Sequence, residues 1–238
     1  MLWAGSLKIP ALDSFEKRRV LNSTKIYDRT GKILLYDVYQ NIKRTVIPWS
    51  DMGVYIKNAT VAIEDKDFYQ HGGVRFTSIA RATMINLFRG SFSQGGSTIT
   101  QQIIKNALLT QDKKVSRKIK EWILATKLER VMGKDDILAL YLNEAPYGGE
   151  VYGISEASQY YFSKPPKDLT LSESAYLAAL PQAPTYFSPY GKNKEKLGER
   201  KNLVLFKMRD LGFINEKEYQ EAVSAIVEFS PQNEGNAK

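Results

Sequence analysis

Residues 64–67 read Glu64-Asp65-Lys66-Asp67, and the segment continues through Phe68-Tyr69-Gln70 into His71, the only histidine of the 238-residue chain. Crowded carboxylates raise one another's proton affinity, and burial against Phe68 or Tyr69 would raise it further, so one of them could serve as a general base. The same spacing also suits a solvated acidic helix end in which His71 caps a turn.

A second group reads Gly95-Gly96-Ser97-Thr98-Ile99-Thr100-Gln101-Gln102, a glycine pair running into a helix start rich in hydroxyls and amides. Free N–H groups and the helix dipole would make it an anion site. The spacing departs from that of a P-loop, which disfavours nucleotide, and a loop with a well-capped helix is the plain alternative. A third group is Arg117-Lys118-Ile119-Lys120-Glu121. At about 100° per residue, Lys114, Arg117, Lys118 and Glu121 share one face, while Val115, Ile119, Trp122 and Ile123 point away from it. Such a face either holds a phosphate or diphosphate, with Glu121 orienting a base or helping to hold a metal ion, or carries an ordinary Arg117–Glu121 surface pair.

The elements that must position these groups are mainly helical. Thr24 to Tyr39 gives two β-prone runs around Asp28-Arg29-Thr30-Gly31, a hairpin signal and the only strong strand signal. From about Val54 onward, helical periodicity dominates, with no internal repeat. Phe76, Ile79, Ala80, Thr83 and Leu87 recur at helical spacing before Gly90. Thr98 with Gln101 forms a capping box for a helix through about Leu108. Val115 to Val131 is a long amphipathic helix stopped by Gly133, and Ile137 to Asn143 a shorter one. Capping boxes at Thr170/Glu173 and Asn215/Glu218 open helices in the C-terminal third.

Composition sets outer limits. A hydrophobic content of 43% suits one large domain or two tightly joined lobes. Lys and Arg number 34 against 26 Asp and Glu, a net charge of +8 that favours diphosphates, anionic lipid or nucleic acid. Nucleic-acid motifs are missing from the sequence, which argues against the last. With no cysteine, thiolate chemistry and Cys-ligated metals are excluded. The longest apolar stretches are too short to cross a bilayer.

Taken in order, EDKDFYQHGG at Glu64, GGSTITQQ at Gly95, RKIKE at Arg117 and KDDILALYLNEAPYGGEVYGI at Lys134 resemble the peptidoglycan glycosyltransferases of class A penicillin-binding proteins and monofunctional transglycosylases. The likeness continues through ASQYYFSK and LPQAPTYFSPY, from about Thr24 to Tyr190. It implies a mainly α, lysozyme-like two-lobed helical domain with a small N-terminal β-hairpin. Residues 1–50 would form a lead behind a membrane anchor, 51–229 the glycosyltransferase domain, and 230–238 a polar tail towards a transpeptidase domain.

By the same resemblance, Glu64 deprotonates the acceptor sugar's 4-hydroxyl and Glu121 is a second catalytic carboxylate, with a tentative metal role. Substrate-binding positions are Asp65, Phe68, His71, Ser97, Thr98, Gln101, Gln102, Lys105, Arg117, Lys118, Asn143 and Tyr152. The implied substrates are lipid II and the growing glycan chain, with undecaprenyl diphosphate leaving and a divalent cation, Mg2+ or Mn2+, assisting. An anionic membrane surface, the extracytoplasmic face of a bacterial membrane and the cell-wall synthesis machinery complete the expected setting, with no nucleic acid. Phe88 to Ser97, with Phe92, and Trp49 to Ile56 are candidates for a membrane-dipping region. Two departures from the family pattern are Ala139, where many members have glutamate, and Gly148-Gly149, a change expected to affect loop geometry.

Two other readings compete. A lysozyme-like glycan hydrolase or lytic transglycosylase would share the fold and the catalytic glutamate but have no use for a cationic helix face. A silent membrane-surface module would scatter its cations without regard to Glu64.

Overall fold

The structure is a computed structural model, and it describes residues 24–27, 34–38, 44–75, 96–108 and 115–231. These residues are mainly helical, as expected. The chain divides into two compact units, one spanning residues 64–141 and the other taking the described residues of 24–63 and 142–231. The division falls within two helices, after Ile63 and after Tyr141.

The first unit begins at Glu64, the last residue of helix α1 (Val54–Glu64). A 3-10 turn at Phe68–Gln70 follows, then helices α2 (Ile99–Leu108), α3 (Val115–Val131) and α4 (Lys134–Glu144), the last running through Tyr141 in this unit. Both α2 and α3 keep the bounds expected from sequence. The start of α4 lies three residues earlier than expected, because Asp135 and Asp136 in the first turn suit the positive end of a helix dipole. The expected helix around Ile79 lies outside the described residues.

The orientation of α3 corrects the sequence reading. Its inward stripe is Glu121, Leu124, Ala125 and Leu128, at the i, i+3, i+4, i+7 spacing of a buried face, and α2 packs with it. Ile119, expected on the apolar side, is 42% exposed, whereas Glu121, expected among surface cations, is 2% exposed. The core residues of the helix lie in its second half, so a face drawn through its first two turns had the wrong phase.

In the second unit, strands β1 (Thr24–Tyr27) and β2 (Leu34–Val38) pair antiparallel from Thr24↔Val38 to Tyr27↔Leu34. This bears out the hairpin; its expected turn lies outside the described residues. A second antiparallel pair was not foreseen: β3 (Pro146–Gly148) with β4 (Val151–Tyr152), too short to show alternation. Gly148 (φ 122°) and Gly149 (φ 54°) make its turn, a left-handed backbone that explains glycine at both positions. Helices α5 (Ile154–Phe162), α6 (Leu171–Ala179), α7 (Lys194–Asp210) and α8 (Glu216–Ser224) follow.

Both expected capping boxes in this region are present. Thr170 N–H donates to Glu173 Oε2 at 2.8 Å and Glu173 N–H to Thr170 Oγ1 at 3.3 Å. Asn215 and Glu218 repeat the exchange at 2.8 and 2.9 Å. The segment after α8 is tied to an aromatic cluster, in which the Tyr161 and Tyr190 rings stack at 5.9 Å and Ser230 N–H donates to Tyr161 O at 2.8 Å. Burial is the main influence that pushes the Tyr190 phenol up to about 12, and its hydroxyl donates to Ser230 O at 2.7 Å. Among the described residues no helix is long and apolar enough to cross a membrane.

Candidate functional site

Glu64 ends α1 with its side chain half-buried. Gln102, in the first turn of α2, donates from Nε2 to Glu64 Oε2 at 2.8 Å. The Tyr141 hydroxyl lies 3.5 Å from Gln102 Oε1, on the amide's other side. A carboxylate oxygen only accepts, so the amide must present its nitrogen to Glu64 and its oxygen to the tyrosine.

Asp65, next in sequence, is 1% exposed and does different work. Its Oδ2 accepts from the Ile99 N–H at 3.1 Å and lies 2.9 Å from His71 Nε2. His71 Nδ1 accepts from the Gly73 N–H at 3.1 Å, so the ring proton sits on Nε2 and faces Asp65. The expected capping box completes the same helix start: Thr98 N–H donates to Gln101 Oε1 at 2.8 Å, and Gln101 N–H to Thr98 Oγ1 at 3.1 Å. Thr98 Oγ1 itself donates to Gly73 O at 2.7 Å.

The helix N-terminus therefore follows the capped alternative rather than an open anion site. Its negative partner is the protein's own Asp65 carboxylate. Phe68 is fully buried, with Tyr69 edge-on at 5.2 Å. Gly73 is forced to be glycine: its φ is +90°, and a Cβ would come within 2.7 Å of the Ala125 backbone.

Lys118 is bonded to Glu121, one turn on in α3, and donates to Ser97 Oγ at 2.9 Å. The carboxylate is buried while the lysine side chain is 42% exposed, so the ammonium is the part that solvent and ligands can reach. Glu121 thus takes Lys118 rather than Arg117 as its partner. Arg117 is half-buried and Lys105 exposed, the latter on α2.

The remaining two expected site residues belong to the second unit. Asn143 is buried and clamps one residue through both ends of its amide: Oδ1 accepts from Ile47 N–H at 3.1 Å, and Nδ2 donates to Ile47 O at 3.0 Å. Tyr152 is half-buried on β4, opposite Pro146.

Sequence reasoning missed a buried network beneath the first group. Glu129 accepts from Thr100 Oγ1 at 2.5 Å and from Lys134 Nζ at 2.6 Å. Lys134 Nζ also donates to His71 O at 2.6 Å and lies 4.5 Å from the Phe68 ring centroid. Arg75 donates to Asp67 Oδ2 at 2.8 Å and stands 3.6 Å from Asp65 Oδ1. Glu129 and Lys134 flank the Gly133 break, five residues apart, where helical spacing rules give no signal. Tyr69 donates to Asp135 Oδ1 at 3.1 Å, and burial, aided by that carboxylate, pushes its phenol up to about 12.

Gln102 on α2 thus holds the Glu64 carboxylate, and Ser97, just before the same helix, holds Lys118. A family model described as Transglycosylase matches residues 31–209, and the chain belongs to that family.

Among its relatives, penicillin-binding protein 1F of Bacillus subtilis is 43% identical over 85% of this chain and 28% of its own length. Penicillin-binding protein 1A of Aquifex aeolicus is 40% identical over 89% of this chain and 29% of its own. The crystal structure of penicillin-binding protein 1A from Haemophilus influenzae matches at 24% identity with a TM-score of 0.47, covering 87% of this chain and 21% of that one. The chain thus spans less than a third of the length of each.

Proposed function

We propose that this chain is a peptidoglycan glycosyltransferase, polymerising lipid II into β-1,4-linked glycan strands with inversion and release of undecaprenyl diphosphate. The observation that carries the reading is the start of α2: within six residues, Ser97 meets Lys118 and Gln102 meets Glu64. One short element thereby sets both a base and a cation.

In the proposed reaction, Glu64 removes the proton from the acceptor's 4-hydroxyl as that oxygen forms a bond to the donor's anomeric carbon. The bond from the same carbon to the diphosphate oxygen breaks, its electron pair leaves with the diphosphate, and the configuration inverts. Lys118, with Arg117 on the same turn of α3, stabilises the charge growing on the leaving group.

A divalent cation, Mg2+ or Mn2+, would neutralise part of the diphosphate charge. Among the described residues no group of three His, Asp or Glu could hold one. Glu121, buried and already bonded to Lys118, does not fit as that ion's carboxylate, so the diphosphate oxygens and water would hold it.

The expected setting, an anionic bacterial membrane surface on its extracytoplasmic side within the cell-wall synthesis machinery, accords with the +8 charge and the lipid carrier. The test is polymerisation by the purified chain given lipid-linked disaccharide-pentapeptide and a divalent ion, read on a gel. Glu64→Gln should lower the rate by roughly 100-fold or more. An inactive native chain, or a Glu64→Gln variant as fast as native, would sink the assignment.

A further inference from the structure

We infer that Gln102 is a positioning residue for Glu64, setting the carboxylate's direction rather than serving as a contact to the sugar donor. The inference rests on the reading of Glu64 as the base. Glu64 is the final residue of α1, and α2 gives its side chain a partner, Gln102 Nε2, 2.8 Å from Oε2. The amide cannot turn over without placing its oxygen against a carboxylate, and in this orientation the Tyr141 hydroxyl, 3.5 Å from Oε1, can donate to the amide's oxygen.

The helix carrying Gln102 is itself held by the residue next to the base. Asp65 Oδ2 accepts from Ile99 N–H at 3.1 Å and fixes the N-terminus of α2, and Gln101 closes the capping box at the same end. Adjacent residues therefore work in opposite directions: Asp65 fixes the helix, and the helix, through Gln102, fixes Glu64. The paired glutamines divide likewise, Gln101 to the cap and Gln102 to the carboxylate. A hydrogen bond that holds a base in the productive direction acts on turnover and leaves donor affinity alone.

Gln102→Met keeps the length of the side chain and removes the donor. In the polymerisation assay its kcat should fall roughly 10- to 100-fold, with the KM for the lipid-linked donor within about twofold of native. Tyr141→Phe removes the hydroxyl beside the amide's oxygen and should lower kcat about 2- to 5-fold at the same KM. Thermal unfolding of each variant is measured alongside.

A raised KM with kcat kept in Gln102→Met would make Gln102 a donor ligand and overturn the inference, as would native kinetics. Should Gln102→Met fail to fold, Tyr141→Phe decides: reduced kcat at native KM supports the inference, and native kcat overturns it. A native chain without activity defeats the reading of Glu64 itself, whereas an active native chain matched by Gln102→Met defeats only the positioning role.

Discussion

Lys118 sits between a buried carboxylate and a hydroxyl, which gives it two separable roles. Replacing it with alanine leaves Glu121 charged in a buried place, and the lysine's partial exposure moderates the cost to about 1 to 2 kcal/mol. Activity should fall further, roughly 100-fold, through loss of a charge at the leaving group. Urea unfolding read beside polymerisation separates the two effects: Lys118→Ala should lose far more activity than stability. A loss of activity no larger than the loss of folded protein would make Lys118 a structural residue.

The types of the candidate residues were legible in the sequence, but their partners were not. The Thr98/Gln101 box could be read because its two members are three residues apart on one helix. The bond from Asp65 to Ile99 spans 34 positions and that from Gln102 to Glu64 spans 38, so no local spacing announces them. The same holds for Asn143, whose amide clamps Ile47 across 96 positions.

At the scale of elements, helix ends were easier to read than helix faces. The boxes opening α6 and α8 follow from short polar signatures, whereas the phase of α3 depended on which of its turns meets α2. Thr170 and Glu173 offer a test. Thr170→Ala should lower stability by about 1 kcal/mol in chemical unfolding, the usual cost of losing such a cap.

Burial is the largest single influence on the Glu173 carboxyl and pushes it up, but its bonds with Lys164 and Thr170 together hold it below its ordinary value. A depressed carboxylate stabilises the fold above its unfolded-state pKa and loses that contribution as pH falls through the folded one. The stability gap between native protein and Glu173→Gln should therefore be full above the ordinary carboxylate range, shrink as pH falls through it and close below the depressed folded-state value. A gap that persists at the acid end would point to packing and not to charge.

At the scale of the whole molecule, the +8 charge predicts how the chain meets a lipid surface. The purified chain should sediment with vesicles of anionic phospholipid, and most of it should be released as salt rises from about 0.05 to about 0.5 M, where screening shortens to a few ångströms. Retention at high salt would instead assign the contact to apolar side chains. Mainly helical character and the first hairpin could be read from periodicity and turn residues. Two lobes were implied by the resemblance, but the boundaries of the two units could not be read, because they fall inside α1 and α4, where the sequence shows no linker.

The bond from Thr98 Oγ1 to Gly73 O joins positions 25 apart at the foot of α2, and the Asp65 bond to Ile99 doubles it. These bonds act as a clasp across the foot of α2. The direction of the Glu64 carboxylate therefore depends on two bonds in which it takes no part, and losing either Asp65 or Thr98 should loosen it from a distance.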